Sequence, residues 1–165
     1  IEELRQAVAT YVVRAAEKLR RQHQRAAALT VYTRTSPFIP AFYSQAASTR
    51  LDLPSNDTAV LLAAALPMVD RIYRPHRQLA KAGVLMQHLQ SNRTLQTHVL
   101  APISEQEQQR REQLMKTIDG LNRRYGRGAV QWAACGLQPS WMMQRNQLSR
   151  AATTRLADLP IVYSN

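Results

Sequence analysis

The chain has 165 residues, of which 45% are hydrophobic, enough for one domain with a packed core. Its 22 lysines and arginines outnumber 11 acidic residues, so the formal net charge is +11 at pH 7. No apolar run approaches the roughly 20 residues of a membrane span, and no signal-peptide pattern is visible, so the sequence predicts neither. Because the first residue is not methionine, we expect a fragment of a longer protein.

Arginine dominates the positive charge, since only Lys18, Lys81 and Lys116 among the 22 basic residues are lysines. A guanidinium group can bind two phosphate oxygens at once in a planar geometry, which favours a nucleic-acid partner. A basic surface that is merely solvated fits the composition equally well.

Cysteine and histidine give no sign of a reactive or metal site. Cys135 stands alone, which excludes an internal disulfide, suits a reducing compartment and predicts a cytoplasmic protein. A small buried side chain is the better interpretation of Cys135 than a nucleophile. The four histidines are far apart and lack the spacing of metal ligands.

The first elements in chain order are a helix and two strands. Apolar residues recur every three or four positions over residues 1–22, which predicts an amphipathic helix. Residues 27–34 alternate between apolar and polar, as in a half-buried strand. Prolines 37 and 40 then predict a loop, and a second, weaker strand is predicted over residues 48–53.

A second helix and a third strand follow. Asn56 or Asp57 is predicted to cap a helix that runs from about Thr58 to Tyr73, and Pro67 predicts a kink or a break within it. Residues 82–89 are predicted to form the third strand, with Val84 and Met86 on one face.

These elements predict an α+β fold in which two helices cover one face of a sheet. The other face would be polar, positive and available to a partner. Its predicted residues are Thr30, Tyr32, Arg34, Ser48 and Arg50.

The rest of the chain is predicted to begin with a linker over residues 91–103, which a helix follows. Ser104 and Glu107 form a predicted capping box at its start, and its predicted apolar stripe is Leu114, Ile118 and Leu121. Gly126 is predicted to end this helix in the left-handed conformation.

The Gly126-Arg127-Gly128 turn is not a phosphate-binding P-loop, because its glycines follow a helix and no Lys-Ser/Thr pair is present. A strand is predicted over 129–135, with Trp132 in the core. Trp141, Met142 and Met143 fit either a core or a partner surface.

Several segments together resemble one family. They are RAAEKLRRQHQ (14–24), TRTSPF (33–38), LAKAGVLM (79–86), LMKTIDGLNRRYGRGAVQWAACG (114–136) and WMMQRNQLSRAATTRLADLPIV (141–162). The last two are the most specific. Over essentially all of its length, the chain resembles the C-terminal region of UmuC-type error-prone DNA polymerases of the Y-family, which include plasmid-borne relatives.

The resemblance implies three parts. Residues 1–91 would be a little finger domain, a β-α-β-β-α-β unit whose mixed sheet lies against template–primer DNA and whose two helices lie on the other face. Its first strand would precede Ile1 and is missing here. Residues 92–103 would be a linker, and 104–165 a mainly helical C-terminal extension that contacts a UmuD-type accessory subunit and the RecA filament.

The resemblance also implies a polymerase parent, acting in SOS mutagenesis and tolerance of DNA damage, that uses Mg²⁺. Polymerase chemistry needs carboxylates that hold two metal ions about 4 Å apart. In the family these carboxylates lie in a palm domain upstream of Ile1. Since the aspartates of this stretch form no such constellation, we expect it to be inactive alone and to hold no cofactor.

A degenerate sliding-clamp motif is implied within the linker. Gln96 matches the family's glutamine, Val99 is an apolar anchor, and Leu100 replaces the family's aromatic residue, while Thr97 replaces a leucine. A plain linker is an equally good interpretation.

Three functions remain open at this point: a DNA-binding and partner-binding module of a translesion polymerase, a free-standing basic nucleic-acid-binding adaptor, and a protein-interaction module whose charge only confers solubility. A palm sequence before Ile1 would distinguish the first two, and salt-dependent DNA affinity would distinguish both from the third.

Overall fold

A computed structural model describes residues 1–92, 105–137, 141–142, 149, 151 and 153–161. The helices and strands are α1 (Glu2–Arg21), β1 (Gln24–Thr35), β2 (Ser44–Ser55), α2 (Thr58–Ile72), β3 (Leu79–Ser91) and α3 (Glu105–Tyr125). Two short 3-10 helices follow at Ala133–Cys135 and Leu156–Asp158. The α+β class is therefore confirmed.

The three strands form one antiparallel sheet in the order β2-β1-β3. All three strands are longer than predicted, since each extends beyond the stretch in which its residues alternate. The alternation identified residues that face the core on each strand, among them Leu29, Leu51 and Val84, but not the strand ends, where polar residues continue the ladder.

One face of the sheet carries the core. Leu29 and Val31 of β1 are completely buried against α1 and α2, whose inward residues include Val8, Val12 and Leu61. The opposite face of β1 carries Thr30, Tyr32 and Arg34, as the alternation predicted. Both helices thus cover the same side and leave the other side of the sheet open, which is consistent with a little-finger-like arrangement.

Helix α2 begins where the sequence predicted. The Asp57 carboxylate accepts a hydrogen bond from the Ala59 backbone N–H at 2.7 Å, which satisfies one of the donors that a helix N-terminus leaves unpaired. The predicted break at Pro67 is wrong, because α2 continues through this residue to Ile72.

Helix α3 packs through a different stripe from the predicted one. Met115 is buried, whereas Leu114 and Leu121 are exposed and Ile118 is only half-buried. Two ion pairs explain why the observed stripe differs from the predicted one: Asp119 binds Arg20 of α1, and Glu112 binds Arg25 at the start of β1. Residues 112, 115 and 119 lie one turn apart on one helix face, so this face turns toward the core.

The end of α3 also differs in part from expectation. Gly126 has a φ of +99°, which confirms it as the left-handed residue that ends the helix. The predicted strand over 129–135 is wrong: Trp132 is extended, and Ala133–Cys135 form a 3-10 turn against α1. Trp132 nevertheless packs against the core, as predicted. The predicted capping residue Ser104 lies outside the described residues.

Candidate nucleic-acid interface

The open face of the sheet is built from cross-strand rows, which we call the open sheet face. From one end to the other, the rows are Arg50–Ala28–Gln87, Ser48–Thr30–Leu85, Ala46–Tyr32–Gly83 and Ser44–Arg34–Lys81. All five residues that the sequence predicted for this face lie on it. The strand pairing adds Lys81, Leu85 and Gln87, which were not among the residues predicted for the site.

Thr30 is the polar centre of this face. Its hydroxyl donates to the Gln87 Oε1 atom at 2.9 Å, and it lies 2.7 Å from the Ser48 hydroxyl. Because the single Thr30 proton is used by Gln87, we infer that Ser48 donates to Thr30. This network joins all three strands and leaves the open sheet face hydrophilic at its middle.

Tyr32 covers Gly83 on the neighbouring strand. A Cβ atom added at Gly83 would lie 2.5 Å from the Tyr32 hydroxyl oxygen and 2.6 Å from its Cζ atom. The glycine therefore lets the phenol ring lie flat across β3, as in other pairs where an aromatic side chain covers a strand glycine. A flat ring beside cations gives the face a contact surface for sugars or bases.

We expect Gly83→Ala to lower the free energy of unfolding by about 1 to 2 kcal/mol, because the new methyl group displaces the Tyr32 ring. In a Tyr32→Ala background the same change should be neutral or stabilising, since alanine restricts the unfolded chain more than glycine does. Urea denaturation of the four proteins measures both effects. Equal costs in the two backgrounds would show that the ring does not occupy this space.

Two cations lie side by side at one end of the open sheet face. Arg34 is directly opposite Lys81 on β3, and the third residue of this row is the uncharged Ser44. Like charges opposite one another destabilise a sheet. Among the described residues, no carboxylate forms a salt bridge with either cation, and the Arg34 Nε atom is buried without a hydrogen-bond partner. An anion at this point would relieve the repulsion.

Arg50 lies at the other end of the face on the edge strand β2. Its side chain is exposed, and it lines a pocket of about 440 Å³ together with Arg25, Arg111 and Glu112. The pocket lies between β2 and α3, so Arg50 stands where the sheet meets the C-terminal part of the chain.

The other predicted features give fewer contacts. Gln96, Val99 and Leu100 of the clamp motif lie outside the described residues, as does Met143. Trp141 packs edge-on against Tyr11 with ring centroids 5.8 Å apart, whereas Met142 is exposed. Trp141 is half-buried but is not among the residues that pack into the core cluster, so the two interpretations left open for this motif both remain predictions.

Cys135 is a half-buried free cysteine that packs against the core cluster. Burial raises the pKa of the Cys135 thiol, an effect that a hydrogen bond with Thr10 partly offsets. Within the described ranges, no group of three or more histidine, cysteine, aspartate or glutamate side chains is arranged to hold a metal ion. No helix in the described part of the chain is long and apolar enough to cross a membrane.

Comparison with known proteins identifies the family. Residues 1–99 match the impB/mucB/samB family C-terminal domain, and residues 112–162 match a family described as a domain of unknown function, DUF4113. Since the first match covers more than half of the chain, the chain belongs to the impB/mucB/samB family, as its resemblance to the UmuC type predicted.

Individual relatives agree with this assignment. The chain is 38% identical to Protein SamB of Salmonella typhimurium over 161 residues, and 35% identical to Protein UmuC of Salmonella typhimurium strain LT2 over 163. It is 32% identical to Protein MucB of Escherichia coli over 161 residues. Each match covers 96% of this chain but only 37% of the relative, so the chain spans a little over a third of the length of these proteins.

Proposed function

We propose that this chain is the DNA-binding and partner-binding C-terminal part of an error-prone DNA polymerase that acts in SOS mutagenesis and DNA damage tolerance. Membership of the impB/mucB/samB family supports the polymerase parent. Template–primer duplex is the proposed ligand of the open sheet face. Mg²⁺ would serve the catalytic part of the parent, and the described residues of this chain offer no carboxylate cluster for it.

The observation that carries the DNA proposal is the pair of cations at Arg34 and Lys81. The repulsion between these adjacent cations destabilises the free protein. A phosphate that lies between them would replace this repulsion with attractive contacts to both. Thr30 is buried beneath this face, and the exposed Ser48 and Gln87 that pair with it supply neutral hydrogen-bonding groups, which suit contacts to sugar and phosphate oxygens rather than readout of base sequence. Binding of duplex DNA to this face is therefore independent of the base sequence.

Partner binding is proposed for the remaining segments. An accessory subunit of the UmuD type and the RecA filament are proposed to contact the C-terminal part, and a sliding clamp is proposed to bind Gln96, Val99 and Leu100. The intracellular site of action is proposed to be the cytoplasm, where the parent meets DNA.

The test is the salt dependence of duplex binding by the whole 165-residue chain. Each of the changes Arg34→Gln, Arg50→Gln and Lys81→Gln removes one phosphate contact. Each should therefore make the slope of log K against log salt concentration shallower by about 0.9. Fluorescence anisotropy with two duplexes of unrelated sequence should give the same loss for both.

Arg71→Gln is the matched control, because Arg71 is exposed in the last turn of α2, on the side of the molecule that carries the helices. It removes the same charge and should alter the slope much less. If Arg71→Gln has the same effect as Arg34→Gln, the open sheet face is not the duplex site and only the net charge matters.

A further inference from the structure

A second positively charged surface lies on the side of the molecule that the helices cover. Helices α1 and α3 form its two walls, and the turn at 126–128 and the segment 130–137 close one end. The space between them is about 1080 Å³ and opens to solvent. We call it the helix-side groove. Because α1 packs on the core face of the sheet, this groove and the open sheet face lie on opposite sides of the molecule.

The charges that line the groove are unbalanced. Three carboxylates line it: Glu17, Glu112 and Asp119. Two of these are already used, since Asp119 pairs with Arg20 and Glu112 pairs with Arg25, which lies outside the groove. The lining cations are Arg14, Arg20, Arg21, Lys116, Arg123 and Arg127. Apart from Arg20, none of these cations has a carboxylate within salt-bridge distance among the described residues.

Helix dipoles explain only part of this charge. Arg21 and Arg123 lie in the last turns of α1 and α3, where a cation stabilises the negative end of the helix. Arg14 and Lys116 lie in the middle of their helices, and Arg127 lies in the turn between two glycines of positive φ. These three cations are exposed and have no structural role that the contacts reveal, so they are available to an anionic ligand.

The residues that line the helix-side groove favour a single polynucleotide strand as its ligand. Cations project from both walls, so a narrow polyanion lying between α1 and α3 can contact cations on each side. Four of the five unpaired cations are arginines, which bind phosphate in a planar fork. Trp132 lines the groove and is half-buried, so part of the indole ring is accessible for stacking with a base.

We propose that the helix-side groove binds single-stranded DNA through its phosphates, as a site separate from the open sheet face. This proposal stands on the lining charges and does not depend on the duplex site. One chain would then hold a duplex on its sheet and an unpaired strand against its helices.

The experiment measures binding of fluorescein-labelled oligo-dT of about 16 nucleotides, the upper range of a single-strand site, to the whole 165-residue chain. The double variant Arg14→Gln, Arg127→Gln changes one cation of the α1 wall and one of the closing turn. It should make the slope of log K against log salt concentration shallower by about 1.4, from two contacts of about 0.7 each. Its duplex binding should keep its slope. Arg34→Gln with Arg50→Gln should show the reverse pattern.

The matched control is Arg110→Gln with Arg124→Gln. Both residues are exposed on α3, neither lines the groove, and the pair removes the same charge. Equal loss of oligo-dT binding in the groove and control variants would overturn the proposal, because net charge alone would then explain it. A second outcome would also overturn the proposal: the groove variant binds oligo-dT with unchanged affinity but binds a glutamate-rich, leucine-containing peptide more weakly. The groove would then be a site for an acidic protein segment. Thermal unfolding of each variant confirms that it is folded.

Discussion

Replacing Leu29 with alanine is expected to lower the free energy of unfolding by about 2 to 5 kcal/mol. Leu29 lies at the centre of the central strand, with none of its surface exposed, and packs among residues of α1 and α2. The change removes three buried carbons and leaves a cavity that two helices and a sheet cannot easily fill. Since a domain of this size is stable by only about 5 to 15 kcal/mol, the loss is a large share of the total. Urea denaturation measures it.

Leu85→Ala is the matched control for this prediction. Leu85 lies on the open sheet face, in the row of Thr30, and half of its surface (51%) is exposed. The same chemical change there should cost less than about 1 kcal/mol, because about half of the side chain stays in water in the folded protein. Equal costs at the two leucines would mean that the two faces of the sheet have been assigned wrongly.

The two faces of the central strand could be predicted from the sequence for a simple reason. Side chains alternate along a strand, and one face of this sheet packs against the helices. Leu29 and Val31 on that face are therefore apolar, whereas Thr30, Tyr32 and Arg34 on the other face carry polar groups. The same reasoning found the cap at Asp57 and the left-handed glycine at 126, because both depend on local backbone chemistry.

The docking of α3 could not be predicted in the same way. Its leucines and isoleucine predicted one apolar stripe, but ion pairs to Arg20 and Arg25 orient the helix differently, and these arginines lie 99 and 87 residues earlier than their partners. A local pattern carries no information about such distant partners. Glu112, Met115 and Asp119 are spaced so that they share one helix face. This spacing was only a weak indication that the face packs against the domain, since a polar helix face is usually solvated.

The segment 129–135 shows another limit of sequence patterns. A run of seven residues with a tryptophan and a valine resembles a buried strand, yet a strand needs a free sheet edge to pair with. Here Ala133–Cys135 lie against α1 and form a 3-10 turn instead. Trp132 packs against the core although it is only half-buried, so its contact with the core was predicted correctly and its secondary structure was not.

Lys81 was missed because the predicted third strand began one residue later. Only the pairing of β1 with β3 brings it beside Arg34. The candidate site could therefore be predicted from the central strand and, in part, from β2. The contribution of β3 depends on its register, and a register is set by contacts between strands that lie far apart in sequence.

Breaking the Arg20–Asp119 pair should also have a large effect. The two side chains are only 12% and 17% exposed, and the guanidinium binds both carboxylate oxygens at 2.7 Å. Its third nitrogen donates to the Asn56 carbonyl oxygen at 2.7 Å and to the Thr58 hydroxyl at 2.9 Å. Arg20→Ala leaves a carboxylate, a carbonyl and a hydroxyl without this donor. The expected cost is about 2 to 4 kcal/mol, somewhat below that of a completely buried pair.

Hydrogen exchange should locate this loss as well as measure its size. Because Arg20 joins α3 to α1 and to the loop before α2, Arg20→Ala should remove protection from the amides of α3 before those of β1. Arg5 provides the matched control on the same helix. Its Nη2 atom donates to both Asp70 carboxylate oxygens at 2.7 Å, but the two side chains are 41% and 44% exposed. Arg5→Ala should cost less than about 1 kcal/mol, because water replaces the lost contacts. If the two arginines cost the same, burial does not set the strength of the Arg20 contact, and α3 is held to the sheet domain by its apolar residues alone.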